Sequence, residues 1–292
     1  MSSLSDNFSR IESKSILEKD TSIAFFLYLL YLVSFFLHLP SRVAILGTVR
    51  FDFVLVGLIF SLIISSGVAR KNRMDDASKY LFAILIYSVL SIPLVEWPGS
   101  VINNGVIEFI KAAIFYFFTV GLVVSEGRLK LVVVVFVICN LIRVLEPLCL
   151  HIIYGYLGSV THLGGGEFAG RLSGAPSDVV NPNGLAFIIA TIFPFLHYVF
   201  SPTSKKALLL YIMLVPVLIY TMGLTLSRSG VLALGIIGVG IWLKSTKKFR
   251  LLIFGLIGFI LVITNLNEIQ KDRYLSIVSD DARQSATADG RI

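Results

Sequence analysis

Apolar runs recur along the chain at lengths near the ~20 residues that cross a bilayer as a helix, and short polar breaks separate them. They predict about nine helical spans, at 21–39, 51–69, 80–95, 105–124, 131–157, 184–200, 207–224, 230–243 and 251–266. Backbone exposed to lipid must be satisfied inside a helix or a closed barrel. These continuous runs lack a barrel's alternation, so spanning strands are not expected. The predicted fold class is all-α, a polytopic helical membrane protein with a glycine-rich loop on its outer, periplasmic side. Its parts are a polar cytoplasmic tail at 1–20, a transmembrane helical domain at 21–266 with the outer loop 158–183, and a segment at 267–292 that opens a further outer loop.

Composition agrees with the pattern. Hydrophobic residues make up 56% of the chain and charged residues 15%, with a mean hydropathy of +0.86, more apolar surface than one soluble core can hide. The first apolar run is too long for a signal-peptide core and no small-residue cleavage site follows it, so a retained span is expected. Cys139 and Cys149 fall in one apolar run, where cysteine acts as a small hydrophobe, and no disulfide framework or thiolate metal spacing accompanies them.

Charge sets the expected orientation. A cytoplasmic N-terminus makes inner loops of Arg70-Lys71-Asn72-Arg73, Arg128-Leu129-Lys130, Lys205-Lys206 and Lys244 to Arg250. With Arg10, Lys14, Lys19 and Lys79 these hold 15 of the 25 basic residues, as the positive-inside rule asks. The same loops account for the net charge of +7, which is therefore no sign of a nucleic-acid partner. Outer loops carry Arg42, Arg50, Arg171 and Arg228 but no lysine. Guanidinium offers a planar fork for phosphate or carboxylate, and an ammonium does not. Arg42 and Arg50 are read as arginines snorkelling to lipid headgroups. Arg171 and Arg228 are read as an outward-facing anion site.

The loop 158–183 is rich in glycine, which permits close approach to a ligand but also suits a flexible connector. It enters the sixth span through Asn181-Pro182-Asn183-Gly184, with Asn183 as the expected N-cap, so that the helix's free N–H groups face the Arg171 loop. Ser227-Arg228-Ser229-Gly230 opens the eighth span at the same face, its serines serving as ligand donors or simply as caps. Within span five, Asn140, Arg143 and Glu146 share one helical face, and Arg143 and Glu146 are placed to neutralise each other at i, i+3. Either a structural ion pair or a ligand-contacting face fits them. Glu108 and Lys111 repeat the spacing as an interfacial pair. Glu167 and Asp178 match no metal-binding loop and are read as solvated.

Arg171-Leu172-Ser173-Gly174, then Asn181-Pro182-Asn183-Gly184-Leu185-Ala186, one further span, then Thr225-Leu226-Ser227-Arg228-Ser229-Gly230 resembles the O-antigen ligase and polymerase family of bacterial envelope glycosyltransferases. The resemblance covers roughly 171–230; elsewhere it is only a hydrophobic pattern. Arg283-Gln284-Ser285 and Gly290-Arg291 are similar to the start of that family's large periplasmic loop.

The resemblance implies an inner-membrane enzyme that moves a glycan from a polyprenyl-pyrophosphate carrier to an acceptor hydroxyl at the periplasmic face, without metal or cofactor. Arg171 and Arg228 match the arginines that hold the donor pyrophosphate, where fixed positive charge stabilises a leaving group. Asn181, Asn183, Ser227, Ser229 and Arg143 are the candidate substrate-binding residues beside them. Partners would be the lipid-linked donor, membrane lipids, and an acceptor that is a glycan, a lipid-core sugar or a protein hydroxyl. The family's general base is a histidine of the large loop, which has no match here. His162 lies in a different loop, and His38, His151 and His197 look like span-end residues. The chain is therefore expected to be truncated, holding the donor half without the base. Two other classes compete. One is a transporter or permease for a polar or anionic solute, against which no inverted repeat is visible. The other is a non-catalytic membrane scaffold, which leaves the outer arginines unexplained.

Overall fold

The structure, a computed structural model, describes residues 20–66, 76–164 and 167–245, and beyond them only 248, 249, 253, 255, 256, 260 and 264. The expected tail, most of the expected ninth span and the segment 267–292 lie outside the described residues.

Eight long helices follow the apolar runs. They are α1 (Ser22–Leu37), α2 (Phe51–Ser65), α3 (Asp76–Leu90), α4 (Pro98–Leu122), α5 (Glu126–Tyr154), α6 (Pro182–Phe200), α7 (Lys205–Leu224) and α8 (Arg228–Lys244). Of these, α4, α5, α6 and α7 are long and apolar enough to cross a membrane, while α1 and α2 are shorter apolar helices. Exposed Phe53, Ile84, Leu90 and Phe187 fit lipid rather than water as the surrounding solvent. The architecture is helical, as predicted, with one departure. The segment between α5 and α6 contains an antiparallel hairpin, β1 (Gly158–Gly164) and β2 (Glu167–Leu172), in which Ser159 faces Arg171 and Val160 faces Gly170. The cost of unpaired backbone N–H and C=O groups excludes open strands only where they face hydrocarbon, and this pair lies in the connection between α5 and α6. Gly158 adopts φ 75°, and a Cβ there would meet the Tyr156 and Ser173 hydroxyls at 2.3 Å, so the strand can start only on glycine.

The chain forms two compact units, Met1–Phe35 with Val43–Val135, and Phe36–Arg42 with Phe136–Ile292. Aromatic packing holds the first. Tyr31 stacks on Phe115 at 5.0 Å, Phe35 meets the same ring edge-on at 4.4 Å, and Tyr28 Oη lies 2.6 Å from Thr119 Oγ1. Arg128, assigned to an inner loop by its sequence position, is instead buried in the first turn of α5. It donates to Thr21 Oγ1 and to the Leu122 carbonyl, the last residue of α4, and lies over the Phe25 ring.

In the second unit α6 and α8 pack against each other near their starting ends. A Cβ on Gly230 would fall 2.5 Å from the Ala186 Cβ and 3.0 Å from Met222 Sδ, so this approach requires glycine. Leu185, Ala186, Ile189 and Ile192 of α6 and Leu218 of α7 are fully buried in this core.

Candidate functional site

Pro182 is the first residue of α6. Proline suits the first helical position because its fixed φ is already helical and its missing N–H would have no partner there. The cap therefore falls on Asn181, whose Oδ1 accepts from Gly184 N at 2.8 Å, and not on Asn183 as the sequence predicts. Asn183, released from capping, turns its Oδ1 to Arg171 Nη2 at 2.7 Å.

Arg171 is 8% exposed. Its Nε donates to the Thr225 carbonyl at 2.8 Å and its Nη1 reaches Thr161 Oγ1 at 3.4 Å. Thr225 is the C-cap of α7, where the helix leaves carbonyls without intrahelical donors and the dipole favours a cation. One side chain thus ties the hairpin, the end of α7 and the start of α6. The three sequence segments that carry the resemblance are brought together by it.

Between α7 and α8 the chain reverses in three residues. Thr225 ends one helix, Leu226 takes a left-handed φ of 50°, and Ser227 caps the next by accepting from Gly230 N at 3.2 Å. A left-handed leucine is strained, and full burial of its side chain holds it there. Ser227 is 1% exposed and engaged in the cap, so of the two readings of this serine the capping one describes it; Ser229 is exposed.

Arg228 is the first residue of α8 and half-buried. A cation at a helix N-terminus opposes the dipole and costs a few tenths of a kcal/mol or more. Among the described residues its guanidinium has no hydrogen-bond or ion-pair partner. Two helix N-termini and this cation therefore gather at one end of the second unit, where free N–H groups and charge favour the same kind of ligand, an anion.

A second charged group lies alongside. Arg143 donates Nε to Asp178 Oδ2 at 2.7 Å and Nη2 to Asp178 Oδ1 at 2.9 Å, both side chains buried. Arg42 forms the same two-pronged contact with Glu146, at 2.7 and 2.6 Å. The predicted i, i+3 pairing of Arg143 with Glu146 is thus replaced by two pairs to other segments, each with two parallel N–H···O bonds, the strong geometry for a guanidinium and a carboxylate. Asp178 is buried rather than solvated, and Arg42 is an ion-pair member rather than a lipid-facing arginine. Hydrogen bonding to Glu146 pushes the Arg42 pKa up against a smaller opposing effect of burial, so it stays charged. Asn140 donates to the Phe136 carbonyl within its own helix. Glu108 and Lys111 pair on the surface at 2.6 Å as predicted.

Sequence reasoning missed His38. Its Nδ1 lies 3.2 Å from Asp178 Oδ1, and its backbone φ of 50° is the left-handed value that ends α1. Nothing local signals this, because the contact joins the first span's end to a loop 140 residues further on. No family model, curated protein or solved structure matches the chain.

Proposed function

We propose that this protein is a membrane glycosyltransferase that takes a glycan from a polyprenyl-pyrophosphate carrier and delivers it to an acceptor hydroxyl at the outer face of a bacterial inner membrane. The observation that carries the reading is Arg228, a cation set against the dipole at the start of α8 without a described partner. An anion supplied by a ligand removes that penalty and gains the free N–H groups of the two helix starts. The resemblance over 171–230 names a fitting anion, the donor pyrophosphate. In this reading about nine spans with a cytoplasmic N-terminus put α6 and α8 N-termini outward. Arg228 meets the pyrophosphate, with Ser229 and Asn181 exposed near it, and Arg171 acts through Asn183 and Thr225 by holding the helix ends in place.

The chemistry asks for little else. As the sugar–phosphate bond breaks, charge builds on the leaving pyrophosphate, and a fixed guanidinium in a low-dielectric mouth stabilises it without reorganising. The test is glycan transfer by the full protein in lipid nanodiscs from a polyprenyl-pyrophosphate oligosaccharide. Arg228→Lys is expected to lower transfer at least tenfold, because the charge remains but the fork is lost. Undiminished transfer by this variant would remove Arg228 from the site.

A further inference from the structure

Connections between helices run over the surface and carry polar residues where water meets them. Two connections at one end of the first compact unit do not. Tyr28 and Tyr31 of α1 meet Thr119 and Phe115 of α4, so these helices run antiparallel, and the end of α1 lies at the same end of the unit as the start of α4. Ser34, in the last turn of α1, donates to Asp52 in the first turn of α2. Residues 43–50, which lead into α2, and 91–97, which lead into α4, therefore share that end. Leu94 there is 87% exposed, Ile45 73% and Trp97 70%. They continue the exposed apolar surface of Tyr87 and Leu90 in the last turn of α3 and of Phe53 in α2, which fits lipid.

Backbone and charge agree with that placement. In 43–50 the N–H groups of Gly47, Val49 and Arg50 donate to the carbonyls of Val43, Ile45 and Gly47, and in 91–97 those of Leu94 and Val95 donate to Ser91 and Ile92. Thr48 and Ser91 turn their hydroxyls back onto the Ala44 and Ser88 carbonyls. In an aqueous loop water satisfies such groups, whereas at the edge of hydrocarbon they must be satisfied internally. Arg50 and Glu96 are exposed within the same segments, so these cannot sink into the bilayer core, and Trp97 and Tyr87 are amphipathic aromatics that favour the headgroup level. Glu108 and Lys111 of α4 incline toward its start, as helical side chains do, and pair with each other, which lowers the cost of their nearness to lipid. The other end of the unit differs, with Asp76, Lys79, Glu126 and Lys130 exposed as charges that suit water.

We propose that residues 43–50 and 91–97 form an interfacial surface that lies in one leaflet of the bilayer, about 5–10 Å into the boundary between headgroups and acyl chains. Ile45, Val49, Leu94 and Trp97 meet phospholipid acyl chains, and Arg50 and Glu96 stay among the headgroups. The partner is the phospholipid bilayer and not a protein. The surface belongs to the first unit and does not depend on the anion site of the second.

Trp97 reports on this surface, because the chain has two tryptophans and Trp242→Phe leaves Trp97 alone. The full chain with that substitution is reconstituted in phosphatidylethanolamine and phosphatidylglycerol vesicles. These also contain phosphatidylcholine brominated near either the glycerol end or the methyl end of its acyl chains. Bromines near the glycerol end are expected to quench Trp97 at least about twofold more than those near the methyl end, and aqueous acrylamide at least about threefold less than it quenches free tryptophan amide. A nitroxide on Ile45→Cys, in a chain without Cys139 and Cys149, tests the other segment without altering Trp242. It is expected to collide more often with dissolved oxygen than with a water-soluble nickel chelate. Strong acrylamide quenching of Trp97 without quenching by bromolipid makes 91–97 an aqueous loop and overturns the proposal. Quenching by neither agent puts Trp97 under protein, from a second copy or from elsewhere in this chain, and overturns it as well. Stronger quenching from the methyl end puts the segment in the bilayer core and overturns the interfacial placement. Nickel collisions in excess of oxygen collisions at Ile45→Cys overturn it whatever Trp97 shows.

Discussion

A guanidinium can hold the fold or hold a ligand, and its neighbours decide which. Arg171 spends its donors on Thr225, Asn183 and Thr161, whereas Arg228 meets no described acceptor. Replacing Arg171 with lysine keeps the charge but strands a carbonyl at the end of α7 and an amide oxygen at the start of α6. The expected loss is about 2–4 kcal/mol, seen as a lowered Tm. Arg228→Lys is expected to change stability by less than about 0.5 kcal/mol, as surface changes do, while still weakening donor binding. Equal Tm losses in the two variants contradict this division of roles. Both arginines were legible in the sequence from their type and placement, but their difference was not. It depends on which acceptors the fold brings within 3 Å, and those lie up to 54 residues away.

Hydropathy located the helices because a span must be apolar along its length whatever packs beside it. It said less about how they end. The proline at α6 moved the cap from Asn183 to Asn181, and the hairpin arose from pairing two short, glycine-rich segments that carry no strong strand signal alone. The ion pairs were misassigned for a similar reason. Spacing along α5 shows which charges share a face, but Glu146 and Arg143 have partners 104 and 35 residues distant. At this scale the critical contact is α6 against α8. Gly230→Ala places a methyl 2.5 Å from Ala186 Cβ, and the overpacking is expected to cost about 1–3 kcal/mol by thermal unfolding. Adding Ala186→Gly is expected to recover part of that loss, since it removes the atom struck. A double variant no better than the single one contradicts the close approach of these helix starts.

Across the whole molecule, the account requires the α6 and α8 N-termini to face outward. Val179 is 91% exposed beside Asp178, so a cysteine there, in a chain without Cys139 and Cys149, is expected to react with a membrane-impermeant maleimide from the outer side of intact spheroplasts. A cysteine at Lys205, at the other end of α6 and its turn, is expected to react only after the membrane is opened. The reverse pattern contradicts the orientation. The central claim, that Arg228 and two helix starts form a pyrophosphate site, is tested most directly by the Kd of polyprenyl pyrophosphate for the wild type and for Arg228→Lys in nanodiscs. The account predicts saturable binding by the wild type and at least a tenfold weaker Kd for the variant, about 1.4 kcal/mol, at unchanged Tm. Equal affinities would contradict it.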